Sequence, residues 1–232
     1  MSSTKAYSTP LAAATALEAA LSGDERQGRL AAGQDPAKRQ QILEGADRVF
    51  STMGFDAASM NDITREAGVS KGTIYVYFDS KEELFMELCI VYREKLFNGI
   101  YSALEGDHDL REALIAFGKA LSLKVTSDVV IRAQRVVIGV AERMPSMSRN
   151  FYEQGPKKGQ AMLRAFLEKH VAAGNLEIED TELATYQLSD LMVTGLFKRR
   201  LFGCMDEPPT AEQVNRTVTA GVDVFLRAYG KR

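Results

Sequence analysis

Apolar residues recur every three to four positions along most of the chain, and almost no segment alternates apolar and polar residues. The first pattern predicts amphipathic helices, and the lack of the second argues against strands. The clearest helix starts at Asp35-Pro36, an N-cap followed by proline, and stops at Gly54. Its apolar stripe consists of Ile42, Leu43, Ala46, Val49, Phe50 and Met53. The fold is therefore expected to be all-α.

The segment from Ser59 to Phe78 predicts two short helices joined by a tight turn. Ser59 is a good N-cap, and Asp62 three residues later can complete a capping box. Gly68 tolerates the left-handed conformation that ends such a helix cheaply, and Ser70 can cap the next one. The first turn of that second helix has small or cationic side chains that permit close approach to a DNA groove. This arrangement is typical of a DNA-reading helix-turn-helix.

Six further helices follow the helix-turn-helix, with no internal repeat. They are predicted from Ser80 with Glu83 as its capping partner, from Asp109, from Val129 to near Met144-Pro145, from Gly155 to Ala173, from Asp180 to Phe202, and from Thr210 to Tyr229.

The last two of these helices have wide apolar stripes, and each stripe contains a glycine. Glycine inside a helix costs ~1 kcal/mol relative to alanine, a cost that close helix approach would justify. We expect this pair to pack on a symmetry mate as a four-helix dimer interface, with an intramolecular core as the alternative. The interface residues expected are Leu188, Leu191, Met192, Gly195, Val218, Gly221, Val222 and Phe225.

Composition favours an ordinary water-soluble protein of one or two domains. The 232 residues are 45% hydrophobic and 26% charged. No apolar run approaches the ~20 residues that span a bilayer, and the first residues make a poor secretory signal, so a cytoplasmic location is expected. We expect a flexible arm over 1–35, a DNA-binding domain over 36–82 and a helical domain for ligand binding and dimerisation over 83–232.

The charge balance does not by itself favour nucleic-acid binding. The net charge is −2, and six cations in the window 36–81 are matched by six acids. Because nucleic-acid domains are usually basic, DNA binding must depend on where the charges lie. The run Lys198-Arg199-Arg200 could form a second basic patch, but a solvated helix face is the preferred interpretation.

Candidate catalytic or metal chemistry is sparse. Cys89 and Cys204 have no metal-ligand spacing and are interpreted as reduced thiols used as small hydrophobes, with redox sensing as the alternative. His108 and His170 are isolated and are expected at the surface or at helix ends. No metal, no cofactor and no catalytic arrangement is predicted, so an enzyme is the weakest hypothesis.

The N-terminal pattern resembles the tetracycline-repressor (TetR) family of bacterial transcriptional regulators. The matching positions are Ile42-Leu43, Phe50, Gly54-Phe55, Ile63, Ala67-Gly68-Val69-Ser70, Gly72, Tyr75, Tyr77-Phe78 and Lys81. The resemblance implies that Lys71, Gly72 and Thr73 lie at the floor of the major groove. It places Tyr75, Tyr77 and Lys81 on phosphates, although core packing is an alternative for the two tyrosines. Ser59 and Ser70, which cap the two helices, complete the predicted DNA-binding set.

The C-terminal part resembles the AefR-like branch of that family, whose members often repress efflux pumps. Arg135 to Ile138, Ala141 to Pro145, Phe151-Tyr152 and Gly155-Pro156 carry this resemblance. Gly45 and Thr64 stand where alanine is usual and are expected only to soften helix stability. Val140 replaces a frequent glutamate.

The central helices contain more soft and aromatic side chains than a plain bundle needs, which favours an apolar ligand pocket. The candidate residues are Phe117, Met144, Phe151, Met162, Phe166, Tyr186 and Met192, together with Met147 and Phe197. Ordinary core packing is the alternative for each.

These patterns together predict a homodimeric repressor that binds double-stranded DNA at a near-palindromic operator and is released by a small apolar inducer. The ligand would favour a conformer in which the helix from Ser80 swings and respaces the two DNA-binding heads. A protein-interaction adaptor and a ligand-independent architectural regulator are the alternatives.

Overall fold

The structure is a computed structural model that describes residues 33–97, 99–105 and 108–231, without the side chains of 94–97. Residues 1–32 of the predicted arm, including the weak helical pattern from Leu11 to Leu21, lie outside this range. The chain divides into two compact units between Phe85 and Met86, three residues beyond the predicted domain boundary after residue 82.

The described residues form helices almost throughout, and the predicted all-α class is confirmed. The first unit contains α1 Pro36–Met53, α2 Met60–Ala67, α3 Lys71–Tyr77 and the start of α4 Lys81–Phe97. The second contains a 3-10 turn Tyr101–Leu104 and the helices α5 Leu110–Val125, α6 Asp128–Gly139, α7 Pro145–Gln154, α8 Pro156–Ala172, α9 Thr181–Val193, α10 Phe197–Leu201 and α11 Ala211–Tyr229. Within the described ranges, none of these helices is long and apolar enough to cross a bilayer.

Local capping sets the helix starts in the first unit. The Asp35 carboxylate accepts hydrogen bonds from the backbone N–H of Ala37 and Lys38 at the start of α1, at 2.9 and 3.2 Å. Ile42 and Leu43 of the predicted stripe are buried, whereas Met53 is 46% exposed. Met53 is the last residue of α1, where no further turn of the helix follows. The prediction for this residue is therefore wrong.

Gly45 allows α1 and α2 to approach closely. A Cβ atom built on Gly45 would lie 2.6 Å from the Cβ of Ala67 and 2.8 Å from its backbone N and Cα. Real Cβ atoms essentially never come that close to other heavy atoms, so alanine does not fit here without movement of the backbone. The expectation that Gly45 only softens helix stability is wrong.

The core of the second unit is formed mainly by α5, α9 and α11. Gly118 of α5 faces Val218 and Met192, and Gly221 of α11 lies against the backbone of Leu191. Close helix approach therefore explains the glycine in the stripe of α11, but the helix that Gly221 approaches belongs to the same chain and not to a symmetry mate.

Most of the predicted dimer-interface residues pack inside this core. Those buried are Leu188, Met192, Val218, Gly221, Val222 and Phe225. A side chain that the chain's own helices enclose cannot also contact a partner, so the interface prediction is wrong for the five of these residues other than Gly221, which also lines an open groove. The intramolecular alternative is correct for them. Leu191 and Gly195 remain accessible.

Two predicted helices differ from the structure, and one further helix was not predicted. The third of the six helices ends at Gly139 instead of near Met144-Pro145, and a helix that the pattern missed, α7, begins at Pro145. The helix predicted from Asp180 to Phe202 is broken into α9 and α10 at Gly195, whose φ is +73°. Gly195 thus serves a turn and not close helix packing.

Arg200 is 3% exposed, so the interpretation of Lys198-Arg199-Arg200 as a solvated face is wrong for this residue. Its guanidinium donates to the carbonyl oxygens of Thr126, Met205 and Asp206 at 3.1, 2.7 and 2.5 Å and pairs with the Asp128 carboxylate. Buried guanidinium groups need such complete pairing. Arg200 therefore joins α10 to the α5–α6 junction, whereas Lys198 and Arg199 are exposed as expected.

Candidate nucleic-acid interface

The turn between α2 and α3 is built by the predicted caps. The Ser59 hydroxyl accepts from the N–H of Asp62 at 3.2 Å, and the Asp62 carboxylate accepts from the N–H of Ser59 at 3.2 Å, which completes the capping box. Gly68 ends α2 in the left-handed conformation with φ +64°. Ser70 caps α3 by accepting from the N–H of Thr73 at 3.0 Å. The predicted helix-turn-helix is thereby confirmed.

The first turn of α3 presents an open surface. Lys71 and Gly72 are exposed, and a Cβ on Gly72 would come no closer than 3.9 Å to another heavy atom. Thr73 is half-buried, and its hydroxyl forms a 2.7 Å hydrogen bond with the Ser70 hydroxyl. The hydroxyl is therefore engaged within the protein, and the methyl group is the part of the side chain that remains for an apolar contact. These three residues thus lie together on one exposed helix start, as a groove-reading surface requires.

Ile74 and Phe78, four residues apart, bury the inner face of α3. Tyr75 is exposed and Tyr77 is half-buried, so core packing describes Tyr77 in part and does not describe Tyr75. Val76 was not predicted as part of the site, yet it is 52% exposed beside Tyr75. Helical periodicity could have found it, because Val76 lies two residues from both buried positions and therefore faces outward.

The Lys81 ammonium is bound by the backbone of the connection between α1 and α2. It donates to the carbonyl oxygens of Phe55, Asp56 and Ala58, at 2.8, 3.2 and 2.9 Å. An ammonium group has three N–H donors, and all three are used here. The phosphate contact predicted for Lys81 stays a prediction.

Ion pairs between neighbouring side chains explain how a DNA-binding domain with equal numbers of acids and cations can expose the Lys71 ammonium. Asp62 accepts from Ser59 and pairs with Arg65 at 2.7 Å, and these interactions, the Ser59 hydrogen bond first, lower the pKa of Asp62. Glu66 pairs with Arg48 at 2.6 Å. Lys71 has no hydrogen-bond or ion-pair partner among the residues that the structure describes. Two of the acids, Asp62 and Glu66, are thus paired locally, and the ammonium at the start of α3 is left available.

The candidate ligand residues differ in burial. Phe117, Phe166 and Met192 pack in the core of the second unit, whereas Met162 and Tyr186 are exposed. Met144 and Phe151 are half-buried on or beside α7, where Met147 is buried. The Tyr186 hydroxyl bonds to Tyr152, which raises the pKa of Tyr186. Three residues of this set thus lie in the core, the other four reach the surface, and their role in ligand binding stays a prediction.

Two open clefts lie elsewhere in the second unit. A mainly apolar groove of about 450 Å³ runs between the end of α9 and the outer face of α11. Its lining includes Leu191, Gly195, Ala220 and Val224. A polar cleft of about 550 Å³ contains both histidines, His108 and His170, which lie at helix ends as predicted.

Within the described residues, the thiols and the histidines belong to no group of metal ligands. In the part of the chain that the structure describes, no three His, Cys, Asp or Glu side chains could together hold an ion. Cys89 is half-buried, and burial raises the pKa of its thiol to about 12. Cys204 is exposed, so it is not a core hydrophobe as predicted.

Comparison with known proteins agrees with this geometry. Residues 42–88 match the family model of bacterial regulatory proteins, tetR family, and residues 112–231 match the C-terminal domain of AefR-like transcriptional repressors. The transcriptional repressor AcnR of Corynebacterium glutamicum is 29% identical over 188 residues, which cover 74% of this chain and 98% of AcnR.

Solved structures show the same fold. The flavonoid-responsive regulator FrrA is 33% identical, with a TM-score of 0.71 over 85% of this chain and 100% of that one. A TetR-family regulator from Mesorhizobium loti is 26% identical, with a TM-score of 0.75 over 84% of this chain and 98% of that one. This chain therefore belongs to the TetR family of bacterial transcriptional regulators, with an N-terminal helix-turn-helix and an AefR-like C-terminal domain.

Proposed function

We propose that this protein is a homodimeric repressor that binds a near-palindromic operator and is released by a small apolar ligand. The observation that carries the proposal is the exposed first turn of α3, where Lys71 and Gly72 stand open on a helix fixed by two capped turns. The TetR family consists of DNA-binding regulators and not of enzymes. The AefR-like match, whose family is described as repressors, and AcnR both support repression over activation.

The chemistry of α3 suggests how the operator would be read. The Lys71 ammonium can reach guanine O6 and N7, and the Thr73 methyl and the exposed Val76 can contact thymine methyl groups. Gly72 permits the helix to sit deep in the major groove. The hydroxyl groups of Tyr75 and Tyr77 would hold phosphates, which fixes register without reading sequence.

Electrophoretic shift and footprinting on DNA beside the protein's own gene test this proposal. We expect two protected half-sites about 34–36 Å apart, or a multiple of that distance. Lys71→Met should weaken binding strongly, whereas the matched exposed lysine on α10, Lys198→Met, should not. Absence of any shift at low salt with all neighbouring DNA would refute the proposal and favour the protein-interaction adaptor.

The outer faces of α9 and α11 are the proposed dimer surface, in place of the buried residues of these helices. Leu183 and Val224 are each 51% exposed, and Leu191 and Ala220 line the adjoining groove. Such an apolar surface on paired helices suits a four-helix interface between two copies.

Sedimentation equilibrium would measure this association. Val224→Arg should shift the protein toward monomer, because a guanidinium would be buried without a partner. Leu123→Arg, a similarly exposed leucine on α5, is the matched control and should leave the assembly unchanged. A Val224→Arg protein that remains fully dimeric would contradict the proposed surface.

The proposed inducer is a flat, largely apolar aromatic compound, and the proposed target genes encode efflux pumps. Its support is the likeness to FrrA, which is a flavonoid-responsive regulator, and the AefR-like match. Ligand binding in the second unit would change the direction of α4 and so respace the two heads. Flavonoid aglycones should raise the melting temperature and release bound DNA. If no compound in such a panel does either, a ligand-independent architectural regulator is favoured.

A further inference from the structure

The side chain of Phe202 is 77% exposed, more than any other large apolar side chain that the structure describes. It lies in the turn that follows α10, where Gly203 takes the left-handed conformation with φ +71°. An aromatic ring in water loses the free energy that burial of its large apolar area would provide. Exposed aromatic rings of this kind are typical anchors of protein–protein interfaces.

Hydrogen bonds fix the backbone on both sides of Phe202. The Arg200 guanidinium donates to the carbonyl oxygen of Asp206 at 2.5 Å. Arg135 of α6 donates to the carbonyl oxygens of Arg200 and Leu201, at 2.7 and 2.9 Å. The ring is thus presented by a turn whose conformation is set within the chain. Little conformational entropy would be lost when a partner covers it, which favours tight association.

The apolar groove between α9 and α11 begins beside this turn. Leu191 lies against Gly221, and the Tyr229 hydroxyl donates to Gln187 at 2.5 Å, so α9 and α11 run antiparallel. One end of the groove is therefore formed by α10 and the first turns of α11, and the turn with Phe202 follows at that end. The far end lies at Leu191.

The shape of the groove suits an aromatic side chain. Its volume is about 450 Å³, and Ala220, Gly221 and Val224 form the α11 wall of its far half. Phe202 does not fill its own groove, since its ring is in water. In two copies related by a two-fold axis across the groove, one surface patch faces itself. The ring at the near end of one groove then meets the far end of the other.

Charged side chains beside the groove fit the same arrangement. Arg199 and Arg216 line it, and neither guanidinium has a hydrogen-bond or ion-pair partner among the residues that the structure describes. Asp206 and Glu207 follow the turn with Phe202 and are exposed, and within the described ranges their carboxylates likewise have no partner. A second copy offers each of these charges the opposite one, which a neutral apolar ligand in the groove would not do.

We propose that Phe202 of each protomer inserts into the apolar groove of the other, so that two reciprocal aromatic anchors hold the dimer. The inference rests on the proposed homodimer at the outer faces of α9 and α11, and it names the residue that carries most of the binding free energy. Ion pairs between the groove arginines of one copy and the acids after Phe202 of the other set the register of the two copies.

Sedimentation equilibrium measures the contribution of the anchor. Phe202→Ala should raise the Kd of the dimer about thirtyfold or more, as expected for an interface hot spot. Leu123→Ala removes another exposed apolar side chain, on α5, and should leave the Kd unchanged. Ala220→Trp fills the groove and keeps the Phe202 ring, so it should weaken the dimer as well. Phe202→Ala added to Ala220→Trp should then have little further effect, because both act on one contact.

Photo-cross-linking locates the ring in the assembled protein. A full-length chain with Phe202 replaced by p-benzoyl-phenylalanine is mixed in equal amounts with ¹⁵N-labelled wild-type chain, irradiated and mapped by mass spectrometry. We expect cross-links to Leu191 or to residues 220–224 of the labelled chain.

The outcomes separate this inference from the proposed function. Cross-links confined to the same chain, or to α5 or α6 of the labelled chain, would overturn the anchor. A wild-type dimer whose Kd is unchanged by Phe202→Ala would also overturn it, while the proposed homodimer would stand. A wild-type chain that is monomeric at every concentration measured would refute the homodimer itself.

Discussion

Replacement of Gly45 by alanine tests whether helix propensity or packing decides stability at this position. Alanine is favoured over glycine inside a helix by ~1 kcal/mol, so propensity alone predicts stabilisation. The structure predicts the opposite, because the new Cβ would lie 2.6 Å from the Cβ of Ala67 and 2.8 Å from its backbone N and Cα.

The magnitude follows from these distances. Carbon atoms in favourable contact are ~3.5–4.0 Å apart, so α1 and α2 would have to separate by about 1 Å. Overpacking of this kind costs about 1–3 kcal/mol. The contacted atoms are the backbone and Cβ of Ala67, which cannot rotate away, so the upper part of that range applies. After the gain in propensity, we expect a net loss of up to about 2 kcal/mol.

Thermal denaturation of the full chain, followed by circular dichroism, measures this change. A loss of 1 kcal/mol lowers the melting temperature of a unit of this size by about 4–8 °C. Gly72→Ala is the matched control in the same unit, because its nearest heavy atom is 3.9 Å away, and its melting temperature should not fall. A Gly45→Ala protein that melts at or above the wild-type temperature would refute the reasoning.

A double-mutant cycle separates packing from propensity. Ala67→Gly removes the Cβ that the new side chain meets, so it should recover part of the stability lost in Gly45→Ala. A coupling free energy of about 0.5–3 kcal/mol is expected. Strict additivity of the two substitutions would show that Ala67 is not the cause of the loss.

Three further substitutions test other parts of the structure. Arg200→Met should lower the free energy of unfolding by about 3 kcal/mol because it leaves buried acceptors unpaired. Lys198→Met, on the exposed face of α10, should have little effect. Urea titration would measure both changes. Ser59→Ala should cost about 1 kcal/mol through loss of the cap of α2, and urea titration would again measure it, equal stability being the contrary result. Burial, and secondly the charge of Lys169, lower the pKa of His170 below its ordinary 6.5. As pH falls through about 6.5, His170 is therefore protonated in the unfolded chain before it is protonated in the folded chain, and the free energy of unfolding should decline. Melting curves between pH 7 and 5 should show a smaller decline for His170→Gln, and an equal decline would exclude His170 as the source of the effect.

Helix starts were accessible from the sequence because the interactions that set them are local. Asp35, Ser59, Ser70, Asp109 and Thr210 each cap the predicted helix by a hydrogen bond to a backbone N–H two or three residues away. A cap and its helix are thus contained in a few consecutive residues. The Ser80 hydroxyl likewise accepts from the N–H of Glu83, although the Glu83 carboxylate returns to the N–H of Asp79 and not to Ser80.

Apolar periodicity also identified buried faces, but it could not name what covers them. The stripe of α11 was found, yet Val218, Val222 and Phe225 are covered by the same chain and not by a second copy. An apolar stripe indicates that one face of a helix is buried, but helices of the same chain and helices of a partner can bury that face equally well. The exposed Val224 lies off that stripe, and the exposed Leu183 belongs to α9.

The roles of single charged and small residues were decided by tertiary structure. Lys81 and Phe55 are 26 residues apart, Arg200 and Thr126 are 74 apart, and Gly45 meets Ala67 on another helix. Periodicity and capping act over a few residues, so they carry no information about such distant neighbours. The sequence alone thus determined an all-helical chain with a DNA-reading motif, whereas the folded chain decided that Lys71 is exposed and that Lys81 and Arg200 donate to backbone carbonyls.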